Sequence, residues 1–285
     1  MFESVGRSMA LIRESWEVLK KDKEILLFPV LSGIICIIIA ASFLIPAVLM
    51  GIGFDTKHQT TPLVYAGIFL FYLVTYFVVI FFNAGLVACA HIRLTGGDPR
   101  FSDGITAAKK NIGQIFIWAL ISATIGLVLQ AIRENNNIVT QIIASIIGVA
   151  WSLLTFFVIP IMIIEKRSTF DSIRESASLF KRTWGETVIG QGGIALIFVL
   201  IALAALVPVF LAMMTGVAVV IIAAVSLYLL LLVILFVMVN AMQGIYNTAL
   251  YLYAKNGTVP SVFSKELIEQ AFMPKKTGTF RGGNI

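Results

Sequence analysis

The chain has 285 residues, of which 59% are hydrophobic and only 13% charged, and its formal net charge is +6. Soluble domains are about half apolar and a quarter charged, so a soluble domain of this size has no core large enough for so much apolar surface. The composition therefore indicates an all-α integral membrane protein and excludes a disordered chain, a fibrous repeat and a disulfide-stapled secreted module.

Six apolar runs are long enough to cross a bilayer, which takes about 20 residues. They cover residues 25–52, 63–90, 114–131, 138–164, 188–213 and 217–253. Turn-forming and charged residues separate most of these runs. The last two are divided only by Met214, Thr215 and Gly216, which predicts a very tight hairpin between the fifth and sixth spans.

Lysine and arginine are distributed very unequally between the two sides of this bundle. Nineteen of the 21 lie before an odd-numbered span or after the last one, which leaves only Lys57 and Arg133 on the opposite side. Basic residues are retained on the cytoplasmic side of membranes. We therefore predict cytoplasmic N- and C-termini, and attribute the positive charge to contact with anionic lipid rather than nucleic acid.

An amphipathic segment precedes the first, third and fifth spans. Apolar residues recur every three or four positions in residues 2–19, 101–112 and 170–184, which is typical of one helix face. Such helices lie in the headgroup plane with the apolar face towards the lipid. Each ends in a basic pair, and the three pairs together are called the basic collar: Lys20, Lys21, Lys109, Lys110, Lys181 and Arg182.

The residue after each basic pair is of a helix-capping type: Asp22, Asn111 and Thr183. These matched junctions predict three copies of a surface helix plus a transmembrane hairpin, pseudo-threefold about the membrane normal. The copies cover about 1–94, 95–165 and 166–258, and an extra surface helix at 261–272 completes a single membrane domain, 1–272, before a flexible cytoplasmic tail, 273–285. The alternative is that any multi-pass protein acquires amphipathic, basic junctions.

The segment SWEVLKKDKEILLFPVLSG at 15–33 resembles the opening of a prokaryotic six-span membrane family catalogued only as a domain of unknown function. The chain is more loosely similar to the membrane domains that precede some glycerophosphodiester phosphodiesterases, whose catalytic barrel has no counterpart in this sequence. The resemblance implies a six-span fold in the plasma membrane of a bacterium or archaeon and supplies no activity.

Residues that carry catalytic or metal chemistry are scarce. No Asp, Glu, Lys or Arg falls in the interior of a predicted span, where functional membrane proteins usually place one. His58 and His91 have no Cys, His or carboxylate neighbour at metal-ligand spacing, and no nucleotide-binding or nucleophile motif occurs. We therefore predict no catalytic, cofactor or metal site and a protein that is not an enzyme.

Uncharged polar residues inside the spans are the remaining candidates for a site. Asn83 lies in the second span and Ser152 in the fourth, while Asn240, Gln243 and Asn247 share one face of the sixth. One interpretation is hydrogen bonding between helices; the other is a polar patch that lines a cavity between the repeats.

Two functions from different classes follow. The first is a non-enzymatic membrane protein whose basic collar engages anionic membrane lipids or a membrane partner, with a protein partner or homo-oligomer left open. The alternative is a transporter or flippase-like carrier of an apolar or lipidic solute, which rests on the repeat and on the polar face of the sixth span. An enzyme that acts on lipid is the least favoured reading.

Overall fold

The computed structural model describes residues 2–49, 62–133, 137–183, 190–260, 263–265 and 268, and every regular element in these ranges is a helix. The first five helices, with a 3-10 turn at Lys23–Leu26, are α1 (Phe2–Lys21), α2 (Leu27–Leu49), α3 (Pro62–Leu94), α4 (Phe101–Lys110) and α5 (Ile112–Arg133). The others are α6 (Ile138–Leu154), α7 (Val158–Ile164), α8 (Thr169–Thr183), α9 (Gly190–Ala204), α10 (Leu206–Met214) and α11 (Ala218–Asn256).

Six helical segments of the described chain are long and apolar enough to cross a membrane, as the sequence predicts. They are Lys23–Leu49, Val64–Leu94, Ile112–Arg133, Ile138–Ile164, Ile197–Met214 and Ala218–Asn256. Several expectations lie wholly or mainly outside the described residues: the ends of the first and fifth predicted spans, the position of Lys57, the extra helix at 261–272 and the tail at 273–285.

The tight hairpin between the last two spans is confirmed. α10 ends at Met214 and α11 begins at Ala218. Gly216 has a φ of +67°, in the left-handed region that glycine adopts without steric cost. The hydroxyl of Thr215 donates a hydrogen bond to the carbonyl of Ala212 over 2.7 Å, which satisfies one of the last carbonyls of α10.

Two of the spans are interrupted at prolines. Pro160 follows the gap between α6 and α7, and Pro208 follows the gap between α9 and α10. Proline has no N–H for the carbonyl four residues earlier, and its ring clashes with that carbonyl. The fourth and fifth spans are therefore each built from two consecutive helices.

The buried core lies at one end of the bundle. Helices α3 and α11 have 33 and 39 residues, and at 1.5 Å per residue they measure roughly 50 and 58 Å against a hydrocarbon thickness of about 30 Å. Their C-terminal parts contain most of their buried residues. We call this region, where α1, α4 and α8 meet the spans, the junction end.

The three surface helices pack on the ends of the spans. α4 contacts α3, α8 contacts α7, and α1 contacts α9 and α11. Apolar residues of their inner faces are buried against protein: Leu19 in α1, Ala108 in α4 and Leu179 in α8. The prediction that these faces point into lipid is therefore wrong at these positions, because the extended spans cover them first.

Candidate functional site

Helix α4 approaches α3 closely at the junction end. A Cβ atom on Gly104 would overlap the ring of Phe28 and lie 2.6 Å from the carbonyl oxygen of Gly85. The ring of Phe101 packs on Phe28 with 4.8 Å between centroids. Only glycine allows the two helices to meet at this distance, so α4 is fixed against the end of the second span.

A matching contact fixes α8 to the interrupted fourth span. The N–H of Phe157, in the gap between α6 and α7, donates to the hydroxyl of Ser176 over 3.0 Å. Because Pro160 has no N–H for the carbonyl of Phe156, that carbonyl needs another donor. The side-chain amide of Asn247 in α11 donates to it over 3.1 Å. The gap is thus held by α8 and α11 together.

The capping prediction is wrong at the first junction. Asp22 forms no side-chain cap; its carboxylate instead accepts two hydrogen bonds from the guanidinium of Arg93 in α3. The amide of Asn111 donates back to the carbonyl of Ala107 over 2.9 Å. The side chain of Thr183 lies outside the described residues. The carboxylate of Asp22 thus connects the first junction to α3.

Arg93 connects the first junction to the second span. The side chain of Asp22 is only 5% exposed, while Asp98, the other carboxylate on Arg93, is 89% exposed. Close by, the N–H of Phe101 donates to Glu24 over 2.5 Å, so a carboxylate of the first junction caps α4. Charge pairing therefore joins the first two predicted copies at the junction end.

A second ionic cluster ties α8 and α11 to the end of the fourth span. Glu165 contacts Arg167 at 2.7 Å and Lys255 at 3.0 Å, and it accepts a hydrogen bond from the hydroxyl of Tyr251. Both cations also contact Glu175 in α8. Partial burial opposes ionisation of Glu165, but these hydrogen bonds and charges outweigh it and lower the pKa of its carboxyl.

Most of the basic collar faces outward. The side chains of Lys21, Lys109, Lys110 and Lys181 are exposed, and within the described part of the chain they form no ion pair. Lys20 contacts Glu17 at 2.8 Å in an exposed pair, and that contact is the main reason why the pKa of Glu17 is lowered. The side chain of Arg182 lies outside the described residues.

A cavity of about 270 Å³ lies between α2, α3 and α11. Its polar lining consists of Ser32, Asn83, Asn240, Gln243 and Asn247, and its other walls are apolar side chains of the three helices with Phe156. The structure thus brings together four of the five polar residues chosen from the sequence.

Ser152 is separate from this cavity. Its side chain is exposed on α6, and its hydroxyl donates to the carbonyl of Gly148 in the same helix over 2.9 Å. A serine that bonds to its own helix backbone needs no partner on a neighbouring helix. Ser152 therefore takes no part in the arrangement that the other four form.

The amides in the cavity differ in how fully their hydrogen bonds are satisfied. The nitrogen of Asn240 donates to the carbonyl of Phe236 over 2.7 Å. The nitrogen of Asn247 is used by the interrupted span, as described above, but its oxygen is buried and has no hydrogen-bond partner among the described residues. An unpaired buried acceptor costs roughly 1–3 kcal/mol. Asn247 is one of the residues that line the cavity.

A family model matches residues 62–261, and its description is a family of unknown function, DUF6159. The chain belongs to this family. The DUF6159 match includes α3 to α11, and with them Asn83, the polar face of α11 and two of the three basic pairs. No curated protein matches the chain.

The family match bears on the resemblance inferred from the sequence. It confirms a family of unknown function with apolar helices, but it begins at residue 62 and so does not include segment 15–33. Similarity to the membrane domains of glycerophosphodiester phosphodiesterases stays a prediction. Within the described residues of this DUF6159 protein, no three His, Cys, Asp or Glu side chains are grouped to hold a metal ion.

Sequence reasoning missed two contributors to the junction end and one to the cavity. Arg93 looks like an ordinary basic residue at the end of a span, and Gly104 like a weak point in a short helix. Ser32 lies in an apolar run whose sequence gives no sign of the polar residues opposite it. The sequence offered a signal for Arg93 alone, since this residue lies in the last turn of a span and the junctions contain acidic residues that could pair with it.

Proposed function

We propose that this DUF6159 protein is a non-enzymatic, multi-pass membrane protein whose basic collar binds the headgroups of anionic lipids at the cytoplasmic face. The observation that carries this proposal is the outward placement of the lysines at each junction. Lys21, Lys109 and Lys110 are exposed, whereas their apolar neighbours Leu19 and Ala108 are buried. Docked helices present these charges in fixed positions, which favours binding to a charged surface.

The arrangement that we propose for the collar is three copies around an axis along the membrane normal. A small buried residue lies five positions before the first basic residue of each junction: Ser15, Gly104 and Ser176. Each surface helix also contacts the final span of a different hairpin, α4 with α3, α8 with α7, and α1 with α11. A cyclic repeat would have this pattern of contacts, and the contacts therefore support a ring of three basic pairs.

The expected strength of the collar follows from its charge. Each basic residue near an anionic membrane surface contributes about 1 kcal/mol, and the contribution falls within a screening length of about 8 Å at physiological salt. Lys20 contributes less than the others because Glu17 already contacts its ammonium group. The collar should therefore enrich anionic lipid around the protein by a margin that shrinks as salt rises.

Replacing all six collar residues by glutamine should leave the protein folded but weaken its retention of anionic lipid. The measurement is mass spectrometry of lipids that co-purify with the parent and the variant in mild detergent. The matched control replaces six other basic residues assigned to the same side: Arg7, Arg13, Arg174, Lys275, Lys276 and Arg281. If the collar variant retains as much anionic lipid as this control, the collar serves only to orient the protein.

The proposed orientation has its own test, in a background without Cys36 and Cys89, the chain's only cysteines. Cysteine at Lys57 or Arg133 should react with a membrane-impermeant maleimide in intact cells. Cysteine at Lys110 should react only after permeabilisation, because positive-inside loops stay in the cytoplasm. The reverse labelling pattern would place the collar outside and remove the basis of the proposal.

A second candidate function is a carrier for an apolar or lipidic solute, and the cavity between α2, α3 and α11 is the observation that favours it. Carriers bind their solute at a polar site between membrane helices. The cavity lining belongs to the junction-side parts of the three helices, which favours binding over a complete path across the membrane. Lipid binding by the collar is therefore the primary proposal.

A further inference from the structure

We propose that the cavity between α2, α3 and α11 binds an uncharged, hydroxyl-bearing lipid headgroup of the diacylglycerol type, which enters from the side of the bilayer. This inference concerns a site and a lipid class different from those of the basic collar. It stands whether or not the collar binds anionic lipid. Four observations carry it: the chemistry of the lining, its depth, its exposed edge and its unpaired acceptor.

The chemistry of the lining selects an uncharged ligand. Every polar side chain around the cavity is an amide or a hydroxyl, and no charged residue contributes to it. An ionised phosphate or ammonium group held here at membrane depth would have no counter-charge, and such a group is costly to bury. Amides donate and accept hydrogen bonds equally well, which suits hydroxyl and ester groups.

The cavity lies at the depth of the glycerol and ester region of one leaflet. A span of about 20 residues crosses the hydrocarbon. Counting that length from the ends of α2, α3 and α11 remote from the junction reaches Val30, Phe81 and Val237. The polar lining occupies these levels or the turns just beyond them towards the junction end. Its amides therefore meet the boundary where lipid headgroups join their chains.

The polar face of α11 runs from the surface of the bundle to its interior. The side chain of Asn240 is exposed, that of Gln243 is half-buried, and the oxygen of Asn247 is fully buried. Close contact between Gly244 and Leu86 closes the wall between α11 and α3. An exposed amide in the side of a membrane helix faces lipid, so the entrance at Asn240 opens laterally.

The unpaired oxygen of Asn247 favours a ligand that can donate a hydrogen bond. The buried oxygen of Asn247 has no partner among the described residues, while its nitrogen is held by the carbonyl of Phe156. The oxygen is therefore the atom of this amide that is left without a partner. An ester or ether oxygen only accepts hydrogen bonds, whereas a hydroxyl can donate one. A lipid with a free hydroxyl can therefore donate to the amide oxygens of the lining, and a fully esterified one cannot.

The volume of the cavity limits how much of the lipid it can hold. About 270 Å³ is slightly below the 300–1,000 Å³ typical of pockets that enclose a whole small molecule. The site is therefore large enough for a glycerol-sized headgroup with its first ester groups. The acyl chains would remain in the bilayer beside α2 and α11, where the surrounding helix surfaces are apolar.

The test uses the full-length protein in phosphatidylcholine nanodiscs with a diacylglycerol that carries a diazirine near the ester end of one acyl chain. Photolabelling should be found on peptides of α2 and α11 that line the cavity. Excess unlabelled diacylglycerol should compete strongly, and excess phosphatidylglycerol should not. Equal competition by phosphatidylglycerol, or labelling spread evenly over all the spans, would overturn the proposal.

Variants test the lining directly. Asn240→Leu combined with Gln243→Leu should reduce cavity labelling about tenfold, since two weak hydrogen bonds are lost together. Neither residue is hydrogen-bonded to another helix among the described residues, so the fold should survive. Asn83→Leu should also reduce the labelling, because Asn83 lines the cavity from α3. The control is Ser152→Ala, which removes a polar group of a span outside the cavity and should label like the parent.

The collar and cavity proposals can fail separately. The six-glutamine collar variant should retain full diacylglycerol labelling, and the double leucine variant should retain its anionic lipids. Unchanged labelling in both the double leucine variant and Asn83→Leu would show that the probe binds elsewhere and would refute the cavity site, whatever the collar does.

Discussion

Replacing Arg93 by leucine is expected to destabilise the protein by about 3–5 kcal/mol, the usual cost of removing one partner from a buried ion pair. The carboxylate of Asp22 is only 5% exposed and accepts two hydrogen bonds from this guanidinium. Without Arg93 it would be a buried charge with no counter-charge. The measurement is the free energy of unfolding in mixed detergent micelles, followed by tryptophan fluorescence.

The same guanidinium provides a matched control. Asp98 also contacts Arg93, at 2.6 Å, but its side chain is 89% exposed. Asp98→Asn should therefore cost about 0–1 kcal/mol, as exposed ion pairs do. Equal losses in Arg93→Leu and Asp98→Asn would mean that the Asp22 pair is screened by solvent and does not hold the junction together.

A double variant shows whether the cost of Arg93→Leu comes from the lost attraction of the ion pair or from the unpaired charge left on Asp22. Replacing both Asp22 and Arg93 by leucine removes the charge that Arg93→Leu alone leaves buried. Replacement of a whole buried pair by apolar residues is often neutral or stabilising. The double variant should therefore be more stable than Arg93→Leu. If it is no more stable than Arg93→Leu, an unpaired charge on Asp22 does not account for the cost of that variant.

Replacing Gly104 by alanine is expected to destabilise the protein by about 1–3 kcal/mol, as overpacking in a close contact does. The new Cβ would lie 2.6 Å from the carbonyl oxygen of Gly85 and 2.8 Å from the sulfur of Cys89. Backbone cannot move aside as a flexible side chain does, so α4 must shift away from α3. Unfolding in detergent measures the loss.

The reactivity of Cys89 provides a second measurement for the same variant. The thiol is buried in the parent protein and donates to the carbonyl of Arg100 over 3.4 Å. A shift of α4 would uncover it, so Gly104→Ala should make Cys89 react faster with a thiol reagent. The control is Gly113→Ala, because a Cβ there meets nothing within 4 Å. Helix propensity favours alanine at both positions, so comparable destabilisation of the two variants would show that the close approach at Gly104 is not the cause.

Apolar run length and helical periodicity are enough to predict the membrane spans and which residues share a helix face. Span number and position follow from the length of apolar runs, because a bilayer demands about 20 such residues whatever the neighbouring helices do. The hairpin at Gly216 follows from having only three residues between two spans. The common face of Asn240, Gln243 and Asn247 follows from the helical period alone. These are local properties, and local sequence is sufficient for them.

The residues that lie opposite these faces depend on how the helices pack together. The helical period places the amides of α11 on one face. It does not reveal that Asn83 of α3 and Ser32 of α2 lie across a cavity from that face. Asp22 is suited to capping, yet its carboxylate pairs with Arg93 of α3. A polar side chain takes whichever partner the packed helices bring within about 3 Å, and contacts between distant segments bring that partner there. For this reason the collar and the polar face could be chosen from the sequence, while the cavity and the junction-end ion pairs could not.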